Sequence, residues 1–169
     1  MRVDLKPFRS LAAFFFLASA AVLPCWSQTG NCTQKDESTR PDCPRAVAFF
    51  DRFHHALASN DRQTVASLIN YPLRVSLNRK SALIRTPAEL LVHFDQVFDA
   101  GVRCEILNAT DKSVSGNSNG FSIGDGAIWF DGIVPKGEDP DIHAPDYWTK
   151  YPFKVIAVNN EADYPCASK

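Results

Sequence analysis

The stretch FSIGDGAIWFDG at residues 121–132 constrains the fold more tightly than any other part of the chain. Asp125-Gly126 stands between two alternating apolar runs. A two-residue type I′ bend needs positive φ at both central positions, which Asp-Gly adopts at little cost. That bend sets a register in which Ile123 faces Ile128, Ser122 faces Trp129 and Phe121 faces Phe130. Side chains alternate between the two faces of a strand. One face of the hairpin therefore collects Phe121, Ile123, Ile128 and Phe130, and the other collects Ser122, Trp129 and Asp131. A one-residue bulge would exchange the two sets.

Helical patterns precede the hairpin. From Arg45, the residues Ala46, Phe49, Phe50, Phe53 and Leu57 recur at spacings of three and four, as on the buried face of a helix. Asn60 or Asp61 caps a shorter helix carrying Val65, Leu68 and Ile69, and Pro72 is expected to stop it. Leu73, Val75 and Leu77 then alternate with Arg74 and Ser76, and residues 81–85 form a second short strand. Thr86-Pro87-Ala88-Glu89 has the pattern of a capping box, with Glu89 returning to Thr86. Its helix is expected to run through Phe94 and Phe98 and to end at Gly101. Residues 102–109 are compatible with helix or strand. Residues 135–152 read as a proline-rich charged loop, and Phe153 to Val158 as an internal strand, apolar on both faces.

The first 27 residues have the layout of a secretory signal. Arg2, Lys6 and Arg9 precede an apolar run from Leu11 to Leu23, and small residues lead to a cut after Ser27. The run falls short of the ~20 residues that span a bilayer. A secreted or periplasmic product follows, with no membrane attachment after cleavage. The cut leaves 142 residues and, by removing three basic residues and one acidic one, takes the net charge from −1 to −3. That balance excludes a nucleic-acid partner. Residues 28–44 form a polar tail, 45–160 a single α+β domain, and 161–169 a C-terminal tail. The cut also removes Cys25 and leaves an even set, Cys32, Cys43, Cys104 and Cys166, as suits an oxidising compartment. Three pairings are possible. The short spacing favours Cys32–Cys43, with Cys104–Cys166 as the second bridge.

The order of elements, with the segments YPLRV, IRTPAELLVHFDQVF and GFSIGDGAIWF, resembles the nuclear transport factor 2-like superfamily and small exported bacterial proteins of uncharacterised function. The resemblance covers residues 45–160. It implies an α+β cone in which a curved antiparallel sheet wraps a long N-terminal helix, and an outer sheet face suited to homodimers. It transfers no catalytic residue and no cofactor.

Chemistry-bearing residues are sparse. The inward hairpin face carries only hydrocarbon, whereas general acid–base work needs a carboxylate or histidine with a donor beside it. His54, on the first helix, reaches either the cone or a backbone carbonyl. Arg85 is placed beside Tyr71 in the cone, where the pair suits an anionic ligand, or on the solvent side. Asp139, Asp141, His143 and Asp146 have ligand-like spacing but lack the glycine and distal glutamate of a calcium loop, so no metal is assigned. Asn31-Cys32-Thr33 and Asn108-Ala109-Thr110 match the glycosylation pattern. Ser122, Trp129 and Asp131 form an aromatic platform, covered by a partner, a second copy, or Tyr147 and Trp148 of the same chain. The leading expectation is a non-catalytic module that binds a small apolar ligand or a protein. The alternatives are a cofactor-independent isomerase, lyase or hydrolase using His54, Tyr71 or Arg85, and an inhibitor or immunity protein of the cell envelope.

Overall fold

A computed structural model describes residues 30–32, 40–77, 79–162 and 164. The segment read as a secretory signal, and Cys166, lie outside the described residues. Strand β1 (Gly30–Asn31) precedes helices α1 (Cys43–Ala58) and α2 (Arg62–Ser67). Strands β2 (Ile69–Leu77) and β3 (Lys80–Ile84) follow, then helices α3 (Pro87–Val92), α4 (Phe94–Val97) and α5 (Ala100–Asn108). Strands β4 (Ser115–Asn117), β5 (Gly120–Ile123) and β6 (Ile128–Gly132), helix α6 (Tyr147–Lys150) and strand β7 (Phe153–Val158) complete the order.

The strands form one sheet in the order β1-β4-β5-β6-β7-β2-β3. It is open, and mixed rather than antiparallel throughout, because β2 runs parallel to β7. The reason lies in the connection. The chain leaves β2 by a hairpin, crosses three helices and the three-stranded meander β4–β5–β6, and returns through β7 after α6.

The Asp125-Gly126 bend is as the sequence requires. Asp125 and Gly126 have φ of 48° and 86°, and Ala127 N–H donates to Gly124 O at 2.8 Å. The register is Phe121↔Phe130, Ser122↔Trp129 and Ile123↔Ile128. The bulge falls one ladder away, where Trp129 pairs with Ala157 and Phe130 with Val155. The extra β7 residue, Ile156, lets Val155 and Val158 both turn inward while Ala157 faces out beside Trp129. Helix α1 lies on the inner face. The Phe49 ring is 4.9 Å from that of Phe130 and 6.0 Å from that of Phe153. Phe53, Phe94, Phe98, Phe121 and Phe130 are completely buried.

Several local expectations are corrected. Pro72 does not stop α2, which ends at Ser67; it lies inside β2. The β2–β7 register shifts between Ile69 and Arg74, and pairing with β3 begins only at Leu73, so no ladder bond needs a Pro72 N–H. The helix from Pro87 breaks at His93 and again at Phe98, and Gly101 does not end it. Asp99 starts α5 instead, its carboxylate accepting from Val102 N–H at 2.9 Å. A side chain at Gly101 would press on Tyr164, its added carbon 3.2 Å from the ring. Thr86 caps α3 as expected, but Glu89 accepts from Arg85 N–H at 2.7 Å rather than from Thr86. Helix α1 starts at Cys43, so Asp42 and Cys43, read as tail, are buried, and so is Tyr164 of the C-terminal segment.

Cys32 and Cys43 form a disulfide with Cα atoms 5.2 Å apart. Cys104 is also disulfide-bonded; its expected partner, Cys166, lies outside the described residues. Among the described residues, no helix is long and apolar enough to cross a membrane.

Candidate functional site

The residues expected to meet in the interior do not meet there. His54 donates from Nε2 to Leu107 O at 3.2 Å and packs its ring edge on Phe50, facing α5 rather than the sheet. Tyr71 is half-buried, and its hydroxyl donates to Ala66 O at 3.0 Å. Burial pushes that phenol up to about 12, so it stays protonated at neutral pH. Arg85 is exposed at the start of α3, the solvent-side placement of the two that the sequence left open, and does not enter the interior. The cause is local: Glu89 holds the Arg85 backbone outside the sheet, one step before the helix cap. The space between α1 and the sheet is filled by phenylalanines, and among the described residues the buried polar side chains are Asp42 and Ser76. Neither faces that space: Asp42 binds Arg40, and Ser76 lines the cleft on the outer sheet face.

Asp131 and Trp129 share the outer face but have separate surroundings. Arg40 spans two carboxylates, with Nη2 at 2.9 Å from Asp42 and 2.8 Å from Asp131. Its guanidinium also lies 4.2 Å from the Phe121 ring centre and 5.3 Å from that of Trp148. Tyr147 and Trp148 therefore fold beside Arg40 and Asp131, not over Trp129. Their segment is pinned by Arg45, which donates to Trp148 O and Tyr151 O, and by Glu138, which accepts from Lys150 and from the Tyr151 hydroxyl. Those hydrogen bonds hold the Glu138 carboxyl below its ordinary pKa. Asp131 is thus a structural ion-pair partner and not part of an open platform.

Trp129 keeps an open side. One row of outward residues crosses six strands: Leu83, Arg74, Ala157, Trp129, Ser122 and Ser115. Beside the small side chains of Ala157, Ser122 and Ser115 the indole is half-buried, with one face towards solvent. Between Trp129 and β2 lies a cleft of about 330 Å³ lined by Arg74, Ser76, Ala157, Asn160 and Glu161. Asn160 shapes its end: its carboxamide accepts from Ser76 N–H at 2.9 Å, donates to Ser76 O at 2.6 Å and donates to Gln96 O at 2.9 Å. Arg74 and Glu161 are exposed, line the same cleft, and have no ion-pair or hydrogen-bond partner among the described residues. The alternation of β2 already places Arg74 outside; nothing in the sequence brings Glu161 beside it.

Asp139, Asp141, His143 and Asp146 are not gathered. Asp141 accepts from His143 N–H at 2.9 Å as a local turn, and among the described residues no three His, Cys, Asp or Glu side chains come close enough to hold a metal ion. Comparison with protein-family models, curated proteins and solved structures returned no match.

Proposed function

We propose that this chain is an exported, non-catalytic binding module whose contact surface is the outer sheet face around Trp129, and that a second copy occupies it. The observation that carries the reading is the pairing of an open tryptophan with two unspent opposite charges, Arg74 and Glu161, along one cleft. A twofold contact presents the same patch from both subunits, so residue i meets j and j meets i. A patch holding one cation, one anion and an aromatic along one cleft is self-complementary in that sense. The phenylalanine-filled interior supports the non-catalytic part, since among the described residues no carboxylate or histidine faces it to act as acid or base. Within the same reading, α1 and the sheet belong to the nuclear transport factor 2-like cone, an arrangement supported by the Phe49–Phe130 contact. The Cys32–Cys43 bridge supports an oxidising destination, secreted or periplasmic.

Sedimentation velocity across a concentration series tests the proposal. The expected result is a dimer that Trp129→Ala and Arg74→Glu each convert to monomer, while the double variant Arg74→Glu, Glu161→Arg restores it. A wild-type protein that stays monomeric throughout, or a dimer indifferent to all three, overturns it.

A further inference from the structure

A second cleft, away from Trp129, lies between α1, the end of α2 and the start of β7, with a volume of about 550 Å³. Three cations line it: Arg45, Arg52 and Lys154. Among the described residues, no carboxylate lines it. Arg45 and Arg52 stand seven residues apart on α1, two turns along one face of the helix. Three cations elsewhere are paired with carboxylates: Arg40 with Asp42 and Asp131, Arg62 with Asp95, Lys150 with Glu138. Here the cations are held by neutral groups. Arg45 donates to the carbonyls of Trp148 and Tyr151, Lys154 donates to Ser67 O, and Arg52 is exposed with no partner among the described residues. Asp131, directly across the ladder from Lys154, is drawn to Arg40 instead. Asp51 projects from a different side of α1 than Arg52. A cleft walled by one sign of charge beside apolar surface focuses its field on an incoming counter-ion.

The floor supplies the second observation. Phe49 and Phe153 each keep 8% exposure, while Phe53, Phe121 and Phe130 keep none. The aromatic core is thus least covered at this cleft, which the three cations line, and Leu68 adjoins it. We propose that this cleft binds a small amphipathic organic anion, its carboxylate or phosphate head among Arg45, Arg52 and Lys154 and its apolar body against Phe49, Leu68 and Phe153. The volume suits such a ligand. Arg45 and Lys154, already tethered to carbonyls, are pre-positioned, and Arg52 closes over the head.

Calorimetric titration of the full mature protein with sodium octanoate is the test, with octyl phosphate, inorganic phosphate and 1-octanol as the comparison probes. Saturable one-to-one binding is expected for octanoate, octyl phosphate or both, weakened by salt and about tenfold weaker in Arg52→Glu, the loss of roughly one charged contact. Lys154→Gln provides a second variant with the same expectation. Failure of both octyl anions to saturate overturns the proposal. So does octanol or inorganic phosphate binding as tightly as the octyl anions, or equal affinity in folded Arg52→Glu and Lys154→Gln.

Discussion

Arg40 reaches Asp131 across 91 positions of chain and holds it at 2.8 Å, fastening the segment before α1 to β6. The same guanidinium is the ion-pair partner of Asp42, which is 4% exposed. Arg40→Met is therefore expected to lower stability by roughly 2 kcal/mol, because it leaves a buried carboxylate unpaired. Asp131→Asn is expected to cost less, since that side chain is 27% exposed and Asp42 keeps its arginine. Urea unfolding of both variants checks the ranking, and equal losses would contradict it.

The bend at Gly126 is a second point of sensitivity. Its φ of 86° is strained for any residue with a Cβ, and an added Cβ would come within 3.3 Å of Trp129 Nε1. Gly126→Ala is expected to cost about 1–2 kcal/mol and to shift the emission of Trp129. A destabilised protein with unchanged emission would separate backbone strain from contact with the indole.

Adjacent positions on β6 should respond in opposite ways. Phe130 is completely buried against Phe49 and Phe121, so Phe130→Ala is expected to cost about 3–5 kcal/mol. Trp129→Ala removes a half-exposed ring and is expected to leave the melting temperature of the monomer nearly unchanged. Calorimetric melts of the two variants side by side decide this, and a large loss at Trp129 would place that ring in the core.

Tyr71 and Tyr164 both have phenols pushed up to about 12, Tyr71 by burial, Tyr164 by burial with the charges of Glu105, Asp99 and Asp125 adding to it. In the unfolded chain both ionise near the ordinary 10.0. Below that pH both states keep the proton and the stability is whole. As the pH rises towards 12 the folded state binds more protons than the unfolded one, so stability falls through that window. Denaturant midpoints measured at rising alkaline pH should decline, and Tyr71→Phe should flatten the decline.

The Cys32–Cys43 bridge closes a loop with a sequence separation of 11. Cys32→Ala with Cys43→Ala is expected to cost about 2–3 kcal/mol. Alkylation of the unreduced protein, read by peptide mass, should label none of Cys32, Cys43 and Cys104.

Strong local physics explains which parts were legible in the sequence. Asp125-Gly126 specifies its bend, and the Phe49, Phe53 and Leu57 stripe specifies a buried helix face, because each rests on neighbours within a few positions. Asp61 capping α2, Thr86 capping α3 and the bounds of β7 were readable for the same reason. Strand β4 was not, since Ser115-Gly116-Asn117 has no strand preference and exists through its pairing with β5. Pro72 misleads because the irregularity that admits it is made by β7, some eighty positions later. Of the sites, the outward Trp129 could be deduced from register. The basic cleft left only a faint trace, the heptad spacing of Arg45 and Arg52, since Lys154 joins them through the sheet alone.

The placement of β7 has a consequence for synthesis. It is the sole bridge between the β2–β3 ladder and the β1-β4-β5-β6 ladder among the described residues. Until it arrives, a nascent chain holds two half-sheets, each with a bare hydrogen-bonding edge at what becomes the middle of the molecule. Such edges invite pairing between neighbouring chains, so this protein is most prone to aggregate just before its final strand emerges.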